Sequence, residues 1–408
     1  MTNLPLIRNS ERSDFKTCPA KWDWRWNKGL VPATPRQDAR WFGTMWHLLW
    51  ATVYTPPAGK DGFTRSITKP EEIHQLWNEL TKGAYTTVSC APFFDEDKEK
   101  EFWDAVELGH FMIDGQLSKW NLDPQYEVLM PEQRFAINIM FTQDQRERKV
   151  MEHPYIFNDP YKIVKLVGTF DLPVRDHADG RGRVWIVDWK STNRKDNLKQ
   201  ANKDDQMGTY VAASTIFLRA KNFIPASEEV CGAIWSFAKK SKPPDPSVVD
   251  EQGRIRNKPQ KKHYLDELRK KGIDVPGMDK FTLPNLATLA DDAGIKVWGE
   301  VSARQGGPLF WREPIVRNKA NRLRTIRRIA EDSEIMQLTR HGDLPIAKNP
   351  GEHCNWCDFN DLCDIDEDGG DTATYIKDVY KYEDPYADHR EGARNSKESV
   401  RSDNGKQT

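Results

Sequence analysis

The sequence predicts an α/β domain, with a central mixed sheet and helices on its flanks. Two observations point there. Strand-like runs at 135–141, 163–174, 183–190 and 231–238 fill the middle of the chain. Helical patterning precedes them, separates the last two and follows them. At 408 residues the chain can also bury a substantial core, as one large domain or two ordinary ones.

In order, residues 10–55 read as helix, turn, helix, with Ser13-Asp14 as a cap and Pro56-Pro57 as the stop. Trp22/Trp26 and Trp46/Trp50 keep the i, i+4 spacing of one helical face. Such stripes are more often core than a base-stacking surface. Residues 70–120 look helical, with Phe102, Val106 and Phe111 set among charges. The strand runs follow, and residues 200–220 form a helix before the last of them. Cys231, at the start of that last run, reads as a packed small apolar residue. Cys90 has no informative neighbour.

Residues 239–307 are rich in Lys and Pro and lack strong periodicity before Tyr264-Leu265, which predicts an insertion or mobile arm with short helices. A long helix is expected over 314–339. Its arginines, Arg317, Arg322, Arg324, Arg327 and Arg328, fit a solvated face and a phosphate-contacting one equally well. From 366 to 408 the chain turns acidic, then polar, and predicts a disordered tail. Residues 1–365 are thus the expected folded domain.

The 61 basic and 62 acidic residues give a formal charge of −1. No global positive field exists, so any nucleic-acid contact must use a local groove. No apolar run is long enough to span a bilayer, and Met1 to Pro5 lacks the layout of a secretory signal. A cytoplasmic location is expected, and there six cysteines argue against a disulfide framework. Cys354, Cys357 and Cys363 are spaced C-x2-C-x5-C, which lets short loops wrap thiolates round one metal centre. With Cys18 as a fourth ligand, the cluster would clasp the two ends of the domain. Four thiolates suit zinc and iron–sulfur alike.

The chemical core is a hairpin. A turn at Asp179-Gly180, folded symmetrically, pairs residues whose numbers sum to 359, so Asp171 and Asp188 face each other with Cβ atoms about 5 Å apart. Lys190 follows Asp188 by two and shares its face. Like charges in direct opposition destabilise a sheet unless a cation sits between them, and hard oxygen ligands suit Mg²⁺ or Mn²⁺. Ile186, Val187 and Trp189 set these charges inside a run that otherwise wants burial, where an unexplained charge is costly. Gln206 and Tyr210 lie one helical turn apart, positioned to bind phosphate, orient Lys190 or simply pack. His47 is a further candidate, although a lone histidine on an apolar helix is usually a satisfied core residue. Glu132 is either a fifth polar member of the site or a strand-edge charge.

Together, Cys18-Pro19, Gly43-x3-His47, Gly168-Thr169-Phe170-Asp171, Asp188-Trp189-Lys190, Gln206-x3-Tyr210 and the cysteine trio resemble the PD-(D/E)xK nucleases. The likeness is to their iron–sulfur branch in particular, with its RecB/AddB-type domains, CRISPR-adaptation exonucleases and phage relatives. The resemblance implies a restriction-endonuclease-like sheet and a metal-dependent deoxyribonuclease, most often an exonuclease of recombination, repair or phage DNA processing. It makes Asp171 and Asp188 metal ligands with His47 beside them, Lys190 the catalytic lysine, and Gln206 and Tyr210 supports of DNA and the active site. It makes Cys18, Cys354, Cys357 and Cys363 the ligands of a structural [4Fe–4S] cluster. Mg²⁺ or Mn²⁺ is the implied cofactor, DNA the implied substrate, and a helicase or recombination protein a possible partner. The contrasting reading is a non-catalytic iron–sulfur or zinc protein that keeps the fold for DNA binding or scaffolding.

Overall fold

The computed structural model describes residues 4–34, 40–91, 94–130, 133–148, 153, 155–157, 159–192 and 203–390. The chain opens with β1 (Leu6–Ile7), α1 (Asn9–Thr17), α2 (Pro19–Trp22) and β2 (Leu30–Pro32), followed by α3 (Arg40–Tyr54), α4 (Pro70–Val88) and α5 (Glu96–Trp120). The sheet region carries β3 (Tyr126–Val128), β4 (Gln133–Met140), α6 (Gln143–Arg148), β5 (Lys162–Phe170), β6 (Leu172–Asp176), β7 (Arg183–Thr192), α7 (Asp205–Ala220) and β8 (Gly232–Lys239). Then come α8 (Lys261–Lys270), α9 (Leu283–Asp292), β9 (Phe310–Val316), α10 (Lys319–His341), α11 (Asn360–Glu367), α12 (Thr372–Val379) and β10 (Tyr380–Tyr382).

Among the described residues the main sheet runs β3-β6-β7-β8-β9, parallel between β7 and β8 and antiparallel elsewhere. It is the expected mixed sheet. A second sheet, β1-β5-β4, lies beside it. The chain passes from one sheet to the other at Asp171, the single residue between Phe170 of β5 and Leu172 of β6.

β7 shows why the sequence folds this way. A strand covered on both faces reads as a continuous apolar run rather than an alternation, and Val184 to Trp189 are all buried. Its side chains still alternate between layers. Val184 and Ile186 pack with Met207 and Val211 of α7 and Ile329 of α10. Val187 and Trp189 pack with Trp46 and Trp50 of α3 and Trp77 of α4. Those three tryptophans are fully buried, so the aromatic stripes are core.

Three sequence expectations change. The first helix starts at Asn9, so Ser13 and Asp14 are interior rather than caps; the Asp14 carboxylate instead accepts from Trp26 Nε1 at 2.8 Å and Lys21 Nζ at 2.6 Å. The expected helix from 314 begins at Lys319, because Pro314 belongs to β9. Proline is tolerated there because β9 is an edge strand, and Asn318 caps α10 by accepting from Asn321 N–H at 2.9 Å. The expected disordered tail is folded as far as 390: β10 pairs antiparallel with β2, and the Tyr386 hydroxyl donates to buried Glu11. Aromatics hold it where aliphatics are scarce, with Tyr380 stacked on Phe359 at 5.4 Å. Residues 391–408 lie outside the described residues.

Residues 239–307, expected as an insertion or arm, form a small subdomain between the neighbouring strands β8 and β9. Helices α8 and α9 close on their own core of Leu268, Met278, Leu286 and Ala290. On α10, Arg322 binds Glu229, Arg327 pairs with Glu331 at 2.8 Å and Arg328 with Asp205 at 3.3 Å. Those arginines serve protein carboxylates, which favours the structural reading of that face.

Candidate active site

The β6–β7 hairpin has the expected register. Leu172 pairs with Val187, Pro173 with Ile186 and Val174 with Trp185. Asp171 follows immediately after the last pair of this ladder, opposite Asp188. Leu172 and Val187 both face the α3–α5 layer, so alternation turns Asp188 to the other side, towards α7; Asp171, at the crossing between the sheets, meets His47 of α3 and lines a cavity with Gln206 and Tyr210 of α7.

Asp188 is 1 % exposed. Its Oδ2 has Lys190 Nζ at 2.8 Å as an ion pair, but no donor aligned for a hydrogen bond. Burying a carboxylate costs several kcal/mol unless its lone pairs are met. Burial accordingly pushes the Asp188 carboxyl up to about 6, with Asp171 acting the same way and the Lys190 and His47 charges opposing. Burial works against the Lys190 ammonium, but Asp188 and Asp171 outweigh it and raise its pKa above the ordinary lysine value. Lys190 is therefore firmly cationic.

Asp171 is anchored from two sides. His47 Nδ1 lies 3.0 Å from its Oδ2, and the Trp189 backbone N–H donates to the same oxygen at 3.4 Å. Burial opposes protonation of His47, but Asp171 and then Asp188 prevail, so its pKa is raised. With Nδ1 committed to Asp171, Nε2 is the nitrogen left for another partner. His47 reaches this point because α3 packs along β7. Gly43 abuts Ser191, where an added Cβ would stand 3.9 Å from Oγ.

Gln206 and Tyr210 meet across one turn of α7, with Nε2 donating to the hydroxyl at 3.1 Å. Burial raises the Tyr210 pKa, and Asp171 and Asp188 add to it, so the phenol remains a neutral donor facing the carboxylates. A cavity of about 580 Å³ opens here, lined by Asp171, Gln206, Tyr210, Gly168 and Phe135 and, from the two ends of the described chain, by Arg8, Asp388 and His389. Sequence reasoning missed this part of the lining, because the segment at 388–389 has no apolar period to mark it. Glu132 lies outside the described residues.

The hard oxygens of buried Asp188 and partly exposed Asp171, with one Asp188 oxygen lacking an aligned hydrogen-bond donor, fit a divalent cation. His47 Nε2 is compatible with it. Yet among the described residues no group of three or more His, Cys, Asp or Glu side chains is arranged to hold a metal ion. His47 and Lys190 occupy the carboxylates instead.

At the far end of α1, Cys18, Cys357 and Cys363 pack against a small core of Trp24, Leu30, Phe359 and Tyr380. Cys354 is near enough to Cys363 to help raise its thiol pKa, after burial and the Cys18 charge. The Gly351 and Phe359 N–H groups point at the Cys354 and Cys357 sulfurs, at 3.4 and 3.5 Å. All six cysteines are free thiols. Asn349 Nδ2 donates to the Thr17 carbonyl at 2.8 Å, tying the same two regions together.

A mixed five-stranded sheet thus carries Asp188 and Lys190 on one strand, with Asp171 at the crossing to a second sheet. The sequence matches the PD-(D/E)XK nuclease superfamily over residues 10–364, and the chain belongs to that superfamily. No curated protein matches it. No helix among the described residues is long and apolar enough to cross a membrane.

Proposed function

We propose that the protein is a metal-dependent deoxyribonuclease, acting exonucleolytically in recombination, repair or phage DNA processing. The observation that carries this reading is the ion pair of buried Asp188 with Lys190, with Asp171 next after the Leu172–Val187 pair of the hairpin, in a chain of the nuclease superfamily. Asp171 and Asp188 would hold Mg²⁺ or Mn²⁺, with His47 contributing Nε2. The cation's chemistry there is to polarise the scissile phosphate and lower the pKa of an attacking water.

The chain's own groups do the rest. Lys190, held as an ammonium, offsets charge building on the phosphate rather than removing a proton. His47 fixes the Asp171 carboxylate through Nδ1. Tyr210, kept neutral and oriented by Gln206, offers a hydroxyl to a phosphate oxygen. Cys18, Cys354, Cys357 and Cys363 would hold a [4Fe–4S] cluster as a structural clasp, a reading supported by the packing of Cys18, Cys357 and Cys363 on one small core and by the N–H groups aimed at the Cys354 and Cys357 sulfurs.

The test incubates protein purified without oxygen with end-labelled DNA and Mg²⁺ or Mn²⁺, beside Lys190→Ala. Degradation by the wild type alone supports the nuclease, and the product ladder gives its polarity. Equal inactivity of both proteins would favour the binding-only reading.

A further inference from the structure

The subdomain between β8 and β9 is rooted at the site. Lys240 follows β8 directly, and its backbone N–H donates at 2.7 Å to the carbonyl of Thr192, the last residue of β7. Thr192 lies two strand residues past Lys190, about 6–7 Å. The Lys240 side chain folds back onto α3, with Nζ 4.6 Å from the centre of the Phe42 ring. Phe42 neighbours Gly43, which abuts Ser191. Lys240 thus rests on the first turns of α3, the helix that carries His47 five residues beyond Phe42.

Its electrostatic setting is unusual. Lys240 is half-buried, burial lowers its pKa, and no carboxylate among the described residues acts on it. An ammonium resting on an aromatic face, with no counter-ion, keeps its charge available to an anion. The chain around it is basic, with eight Lys and Arg against three Asp and Glu from 239 to 262, in a protein of net charge −1. Asp250 takes up Arg254 and Arg256, at 2.9 and 2.8 Å, and Glu300 takes up Lys262. Lys239, Lys240 and Lys242 remain without a carboxylate partner among the described residues.

We propose that Lys240 binds the backbone phosphate adjacent to the scissile one, and that the root of the subdomain, Lys239 to Lys242, steers the substrate strand onto the site. This rests on the nuclease reading and deepens it, by assigning a substrate contact to a segment that none of the superfamily-like motifs covers.

The experiment measures binding of a fluorescent single-stranded oligonucleotide to the full chain by anisotropy, in EDTA, over a series of salt concentrations. Wild type is compared with Lys240→Met, which keeps the apolar stem on Phe42, with Lys240→Arg, and with Lys82→Met on the exposed surface of α4. Lys240→Met should weaken binding at every salt and lower the slope of log affinity against log salt by about one. In cleavage assays it should raise KM with little change in kcat. Lys240→Arg should restore the slope, and Lys82→Met should match the wild type. Unchanged affinity and slope in Lys240→Met would overturn the subsite and leave the nuclease standing. Weaker binding with an unchanged slope and a lower Tm would mark a structural lysine and overturn it equally. A wild type that neither binds nor cuts the strand would remove both readings.

Discussion

Asp188 concentrates the chemistry of the site in one side chain. It is buried, it keeps an oxygen without a hydrogen-bond donor, and its carboxyl is pushed up to about 6 by that burial. Asp171→Ala, Asp188→Ala and Lys190→Ala should each lower cleavage by about a hundredfold or more, with circular dichroism unchanged. A pH dependence follows as well. A protonated carboxyl cannot ligate a cation, so Mn²⁺ affinity should rise as pH climbs through about 6 and level off above it. His47, with its pKa raised, must lose a proton over the same direction of pH. Electron paramagnetic resonance of free Mn²⁺ at a series of pH values would read this, and an affinity independent of pH between 5 and 8 would contradict it.

At the scale of elements, the hairpin was legible because its information is local. A turn at Asp179-Gly180 fixes the register, and the register fixes Asp171 against Asp188. The helix over Gln206 and Tyr210 was legible for the same reason. The start of α10 was not, because Pro314 and Asn318 change meaning with the edge position of β9, which no local pattern encodes. The segment after 366 was misread because composition measures apolar content, while Tyr380 on Phe359 and Tyr386 on Glu11 anchor it to the domain. Tyr386 is the sharpest case. Its hydroxyl donates to Glu11, a buried carboxylate that also accepts from Trp22 Nε1 at 3.0 Å and pairs with Arg340 at 3.0 Å. Tyr386→Phe should therefore destabilise the protein by about 1–2 kcal/mol in a denaturant titration, without touching the cavity chemistry directly.

For the whole molecule, the main consequence is closure. The chain's first and last described segments meet at Arg8 and Asp388, at Glu11 and Tyr386, and around Cys18, Cys357 and Cys363. If those thiols hold a cluster, Cys357→Ser should lose absorbance near 400 nm and lower Tm by about 5 °C or more. A colourless wild type with unchanged Tm in the variant would show that packing alone joins the ends.

The crossing at Asp171 has a consequence of its own. A single residue, not a loop, carries the chain from one sheet into the other, so there is no slack between them. Any slippage of β5 against β7 must move one carboxylate away from its counterpart. If the protein cuts DNA as proposed, this would act as a safety catch: a copy whose sheets begin to part would lose the facing carboxylates, and with them its activity, before it unfolds.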